Sequence, residues 1–153
     1  MALGFLSDAY RAIENEPQSI VYQNEVIQTR RSLEDSEKYL NDLEMMLISG
    51  HSIDRIKIVE RELNDLPHFA DTTSVFYTNV LKAMMVSYEV KDSYDKAIYY
   101  CDRSLSILKK NEEYNILRIA ELQGKKCRYL RWSNHFREAI IYGENAKTTF
   151  DTN

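Results

Sequence analysis

The sequence predicts an all-α chain of repeated antiparallel helix pairs, and three observations carry that expectation. Among 153 residues there are only 4 Gly and 2 Pro, where average usage would supply about 18 of the two together. Hairpins and the strand ends of doubly wound sheets need such residues throughout, so these few cannot punctuate a β-rich fold. Hydrophobic residues make up 44% and charged ones 29%, a balance that suits neither a disordered nor a membrane-spanning chain. A short pattern also recurs. His51-Ser52-Ile53-Asp54-Arg55-Ile56, Asp92-Ser93-Tyr94-Asp95-Lys96-Ala97 and Asn134-His135-Phe136-Arg137-Glu138-Ala139 each place a polar turn before a bulky apolar residue, two charges and a further apolar residue. The anchors Ile53, Tyr94 and Phe136 lie 41 and 42 residues apart. A chain of this length can bury about 70% of its unfolded surface as one domain, spanning residues 1–153.

The elements follow in order. In residues 1–32, Leu3 to Ile13 can form a short helix, and Pro17 suits the first turn of another that runs to about Arg31. These form a cap or a degenerate repeat. The first pair occupies 33–67, with helices at about 33–49 and 52–66. Gly50 is placed to close the first as its C′ residue, Ser52 to cap the second, and Pro67 to end it. The second pair occupies 72–109, with helices at 72–91, behind Asp71-Thr72-Thr73, and 93–109, capped by Ser93. The third occupies 112–150, with helices at 112–132, behind Asn111-Glu112-Glu113, and 135–150, capped by Asn134.

Charge and cysteine narrow the function classes. Twenty basic against 24 acidic residues give a net charge of −4, a poor footprint for general nucleic-acid binding. The one basic cluster, Lys125, Lys126, Arg128, Arg131 and Arg137, has Glu138 and Glu144 beside it and reads as a solvated face. Cys101 and Cys127 are too few and too far apart for a disulfide framework or a zinc site. They read as reduced, buried thiols in a cytoplasmic protein. Met1-Ala2-Leu3-Gly4-Phe5-Leu6 lacks the basic start and long apolar run of a signal peptide, and no stretch approaches 18 apolar residues.

The repeats resemble the tetratricopeptide repeat, whose first helix reads W-x2-L-G-x2-Y and whose second reads A-x3-F. The middle copy shows Leu81, Met84, Met85 and Tyr88, then Tyr94, Ala97, Ile98, Cys101, Ser104 and Leu105. The first keeps Leu40, Leu43, Leu47, Ile53, Ile56, Leu63 and Pro67. The third has Leu130, Phe136, Ala139, Ile140 and Ala146, with polar Gln123 and Lys126 at two apolar positions. Glu44, Met85 and Cys127 stand where the family has Gly, which implies looser packing within the pairs. The resemblance covers about residues 35–150 and implies a right-handed superhelix of about three helix pairs. Its long period and long first helices look like those of the bacterial peptide-pheromone receptors (the Rap, Rgg, NprR, PlcR and PrgX group). That likeness implies the ligand-sensing part of a regulator in quorum sensing or transcription, binding a short peptide on its concave face.

By register, the first helix of each pair then lines the groove. This gives Lys38, Asn41, Met45 and Ile48 in the first copy, Asn79, Lys82, Val86 and Glu89 in the second, and Glu121, Arg128, Arg131 and Trp132 in the third. An Asn amide can donate to and accept from a peptide backbone at once. Asn79 stands out because helix interiors disfavour Asn. Arg128 or Arg131 suits a carboxylate, and Trp132 an apolar anchor.

Nothing points to catalysis, a metal or a cofactor. There is no P-loop, G-x-G-x-x-G or nucleophile elbow, and His51, His68 and His135 lack ligand-spaced companions. Glu34/Asp35 and Glu112/Glu113 read as complements of helix dipoles. The last helix carries Phe136, Ile140, Ile141, Tyr142 and Phe150 around more than one side. An end repeat needs a polar face or a cover, so these residues are expected at a homodimer interface or against a further region. The sequence therefore predicts a non-enzymatic module that binds a short peptide or protein segment, with no direct nucleic-acid or membrane partner. The alternatives are a scaffold or chaperone that binds through its terminal helix or convex face, and a helical effector domain acting on a response regulator.

Overall fold

The computed structural model describes residues 2–12 and 15–152; the predicted helix end at Ile13 lies outside them. The described residues form α1 (Ala2–Ala12), α2 (Glu16–Ser32), α3 (Ser36–Ile48), α4 (Ile53–Asn64), α5 (Val75–Val90), α6 (Tyr94–Leu108), α7 (Glu112–Trp132) and α8 (Phe136–Thr152), with a 3-10 turn at Lys109–Asn111. No strand occurs among them, and no helix is long and apolar enough to cross a membrane. The chain divides into two compact units, Met1–Val80 and Leu81–Asn153, with the boundary inside α5.

In the first unit α3 is the central helix. Its Tyr39, Leu40, Leu43, Met46 and Leu47 recur at helical spacing and are fully buried. Gln23 Nε2 bonds Ser49 Oγ at 3.1 Å and Arg30 Nε bonds Asp42 Oδ2 at 3.2 Å, so α2 and α3 run antiparallel. Tyr39 meets Glu62 while Met46 meets Arg55, so α3 and α4 are antiparallel too. α2 and α4 consequently run parallel.

Two charges on α4, one heptad apart, lie inside this arrangement. The Arg55 side chain is 1% exposed and donates to Glu16 Oε1 (3.3 Å), Ser19 Oγ (3.2 Å), the Met46 carbonyl (3.3 Å) and Gln23 Oε1. The Glu62 carboxylate accepts from Arg31 Nη1 (2.9 Å), the Tyr39 hydroxyl (2.9 Å) and Gln28 Nε2 (3.1 Å). A buried charge is tolerated only when it is paired and hydrogen-bonded. These two are, and each bonds to both α2 and α3. Burial, followed by the hydrogen bond to Glu62, pushes the Tyr39 phenol far above its ordinary value.

In the second unit α7 lies against three elements. Lys82 Nζ meets Glu121 Oε1 at 3.5 Å and Arg128 Nη2 meets Glu89 Oε1 at 3.2 Å. Residue numbers rise together on both helices, so the Leu81–Val90 part of α5 runs parallel to α7. Against α6, Cys101 Sγ donates to the Leu122 carbonyl at 3.3 Å and Lys126 Nζ to Asp102 Oδ1 at 2.6 Å. Tyr94 packs near Trp132 at the opposite end, so that pair is antiparallel. Helix α8 turns its small residues Ala139, Gly143 and Ala146 toward the interior. A Cβ at Gly143 would stand 3.1 Å from Cys127 Sγ, so the missing side chain is what lets the two backbones approach. The looser packing expected from Cys127 in place of Gly does not occur in this pair, because the small residues come from α8 instead.

Helix ends depart from the expected caps for one recurring reason. Glu34, Asp92 and Asn134 have φ of 53°, 54° and 63°. Each sits in the same turn: its own N–H bonds the carbonyl three residues back, and the next N–H bonds the carbonyl five residues back. That is the double closure of a Schellman-type C-terminus, a position that usually takes Gly. Gly50 does not serve it, since no described glycine has positive φ. Nor do Ser52 or Ser93 cap through their side chains, although their carbonyls accept the first helical bonds. Asn134 is the left-handed residue itself and not a cap. Side-chain caps do hold α2 (Asn15), α3 (Asp35) and α5, where Ser74 Oγ takes the role expected of Asp71-Thr72-Thr73 by accepting from Tyr77 N at 3.2 Å.

This turn also revises the register of the first pair. It joins α5 to α6 and α7 to α8, as the repeat pattern requires, but in the first half it joins α2 to α3 and not α3 to α4. Helix α3 therefore stands where a second helix of a pair stands.

Candidate functional site

The predicted groove residues fall into separate settings. On α3, Lys38, Asn41, Met45 and Ile48 are exposed. Because α3 follows the left-handed turn, their place in the pattern is not that of Lys82 and Glu89. Met45 lines a small pocket of about 170 Å³ with Ser7, Gln23, Val26, Asp42 and Ser49. Burial raises the Asp42 carboxyl above its ordinary value in spite of the bond to Arg30. On α5, Asn79 is half-buried and Val86 likewise, and neither Asn41 nor Asn79 spends its amide on a hydrogen bond among the described residues.

In the second unit the remaining residues form a ledge along α5 and α7. Lys82 and Glu121 face each other with half of each side chain exposed. Two turns further on, Glu89 forms an ion pair with Arg128 at 3.2 Å and accepts from the Tyr129 hydroxyl at 2.6 Å. Burial, then the bond to Glu89, drives the Tyr129 phenol far above its usual value, so it stays a proton donor to that carboxylate. The ledge ends in an aromatic cluster. Trp132 lies 5.0 Å from Tyr94 and 6.1 Å from Tyr129 between ring centroids, and the Arg128 guanidinium sits 5.3 Å over the indole. Trp132 is 41% exposed, leaving part of a large apolar face open to a ligand.

No family model matches this sequence, and no curated protein matches it.

Arg131, expected beside Arg128, lies elsewhere. It lines an apolar groove of about 420 Å³ between α7 and α8, together with Cys127, Phe136, Ile140, Gly143 and Glu144. Neither Arg131 nor Glu144 has a charge partner among the described residues. Of the residues expected at an interface, Phe136, Ile140, Ile141 and Phe150 are 55%, 60%, 56% and 54% exposed. Tyr142 is not one of this set. Its hydroxyl accepts from Lys126 Nζ at 2.9 Å, and the ammonium lies 4.1 Å from the ring centroid.

Lys126 itself is buried, which the reading of a wholly solvated basic face did not foresee. Burial opposes its charge, but the bonds to Asp102 and Tyr142 outweigh that and raise its pKa. Its place in the third copy, where the repeat has an apolar residue, was the available signal. Arg55 and Glu62 were missed because nothing local marks them; apart from Arg61 beside Glu62, the partners named for them lie 9 to 39 residues away.

Both cysteines are unpaired. Burial pushes the Cys101 thiol up to about 12, and Cys127 is half-buried. Among the described residues no three or more His, Cys, Asp and Glu are grouped to hold a metal ion. A polar pocket of about 360 Å³, lined by Asp92, Ser93, Tyr94, Asp95, Ser133 and His135, lies where the α5–α6 and α7–α8 turns meet.

Proposed function

We propose that this chain is a non-enzymatic, tetratricopeptide-like module whose second unit holds a short peptide or extended protein segment on the α5–α7 ledge. The reading extends to a right-handed superhelix and to a ligand-sensing role in a bacterial regulator. One observation carries it. Two parallel helices present alternating cations and anions across a shallow surface that ends in a half-open Trp132. Charges of both signs at repeated spacing can meet peptide carbonyls, amides and termini along an extended chain. A rigid aromatic at one end supplies the anchor that commonly carries most of the binding energy.

The test is a selection from random linear octapeptides on the immobilised protein, followed by fluorescence anisotropy on those retained. Retained peptides are expected to weaken at least about tenfold with Trp132→Ala, the effect of losing one aromatic anchor, with helicity unchanged by circular dichroism. Peptides that bind Trp132→Ala as well as the parent would remove the ledge as the site.

A further inference from the structure

The groove between α7 and α8 has a filled counterpart in the same unit. The second and third repeats superimpose in sequence with an offset of 42 residues, which also relates the left-handed turns at Asp92 and Asn134. Under that offset, Arg131, Phe136, Gly143 and Glu144 of the groove correspond to Glu89, Tyr94, Cys101 and Asp102. Each of those four is engaged by α7. Glu89 takes Arg128 and Tyr129, Tyr94 takes Tyr129 and Trp132, Cys101 takes the Leu122 carbonyl, and Asp102 takes Lys126. The α7–α8 groove is therefore the same seat one repeat further along: Arg131 and Glu144 have no charge partner among the described residues, Lys147 beside them pairs with Asp151 at 3.7 Å, and Phe136 and Ile140 are exposed.

We propose that this groove binds an amphipathic helix of a partner protein, laid parallel to α7 as α7 is laid parallel to α5. The contacts of α7 define the chemistry of the occupant. A base takes the place of Lys126 and meets Glu144. Two positions on, where Arg128 meets Glu89, the receiving residue is Arg131, so the occupant carries an acid. Aromatic residues three and six positions after the base replace Tyr129 and Trp132 and cover Phe136. The order is base, any residue, acid, aromatic, with a second aromatic three residues later.

A second copy of this chain does not supply that order. Of its twenty Lys and Arg residues, only Lys110 has an acid two positions on, Glu112, and the residue after it is Glu113. The surface is also distinct from the ledge, so the two proposals stand or fall separately.

The probe is a library of 20-residue Ala/Gln/Lys-based helical peptides, randomised at the base, acid and two aromatic positions and selected on the immobilised protein. Enrichment of the stated order is expected. The best peptide should gain helicity on binding and lose at least about tenfold in affinity with Ile140→Glu. Arg131→Glu should invert the preference at the acid position to Lys or Arg, while Trp132→Ala should leave binding unchanged. All three residues are exposed, so circular dichroism can confirm that the variants fold. No enrichment, or the same preference in Arg131→Glu, overturns the proposal. So does sedimentation showing a dimer that Ile140→Glu dissociates, because a second copy then owns the groove.

Discussion

Glu62 illustrates how a single residue can decide the packing of a helix. Its carboxylate is shared by Arg31, Gln28 and Tyr39 across two neighbouring helices. Glu62→Ala strands the Tyr39 hydroxyl and, among the described residues, leaves Arg31 with the exposed Asp65 as its charge partner. Removing one side of a buried pair is costly, so the loss is expected at about 3 kcal/mol, read as a shift in the urea midpoint at unchanged slope. An unshifted midpoint would show that water replaces the carboxylate. In sequence, Glu62 is one acid among 24 on a helix whose exposed face is also charged. Burial of that particular acid depends on α2 and α3 arriving with donors, which no local pattern encodes. Tyr142 and Lys126 tell the same story: a predicted interface tyrosine and a predicted surface lysine satisfy each other inside the unit.

At the scale of elements, the apolar periodicity located the helices well. Predicted spans of 93–109 and 112–132 became Tyr94–Leu108 and Glu112–Trp132, and 72–91 became Val75–Val90. The ends were less legible. With so little glycine, the chain places Glu34, Asp92 and Asn134 in the left-handed conformation that ends α2, α5 and α7. A side chain with Cβ is strained there by about 1–2 kcal/mol, Asn less than most. Glu34→Gly is therefore expected to stabilise the protein by about 1 kcal/mol, and Asn134→Gly by clearly less. Thermal denaturation of the two variants side by side checks the order. Asn134→Gly stabilising more than Glu34→Gly would refute it. The ion pair that Glu34 forgoes, 3.8 Å from His68 and exposed, is worth little. Repeated turns of this kind also reveal which helices correspond, and they move α3 from a first to a second position in its pair.

Over the whole molecule, buried protons set the response to alkali; besides Lys126, held by Asp102 and Tyr142, three are held chiefly by burial. Tyr39 in the first unit, with Tyr129 and Cys101 in the second, all have their pKa raised in the fold, chiefly by burial. Below pH 9 both folded and unfolded chains keep these protons, and the groups contribute no pH dependence. Above ordinary values of 9.0 for Cys and 10.0 for Tyr, the unfolded chain releases protons that the folded chain retains. Unfolding is then favoured, so stability falls as pH rises from about 9 toward 12. Urea midpoints measured across that range should decline, and Tyr129→Phe should flatten the decline by removing one of these protons. An equal slope in Tyr129→Phe would exclude that phenol as a contributor.

The shortage of glycine and proline, the helical period of apolar residues and the 42-residue recurrence were enough to determine an all-α chain and most helix spans. Each is a property of short stretches, where backbone propensity and one-sided burial act through neighbours a few residues away. Tertiary structure alone decided which charges are buried, which way α8 faces, and that Arg131 and Arg128 serve different surfaces. Those outcomes depend on groups brought together from distant parts of the chain. The same aliphatic stem and charge are stable inside or outside according to whether a complementary partner arrives.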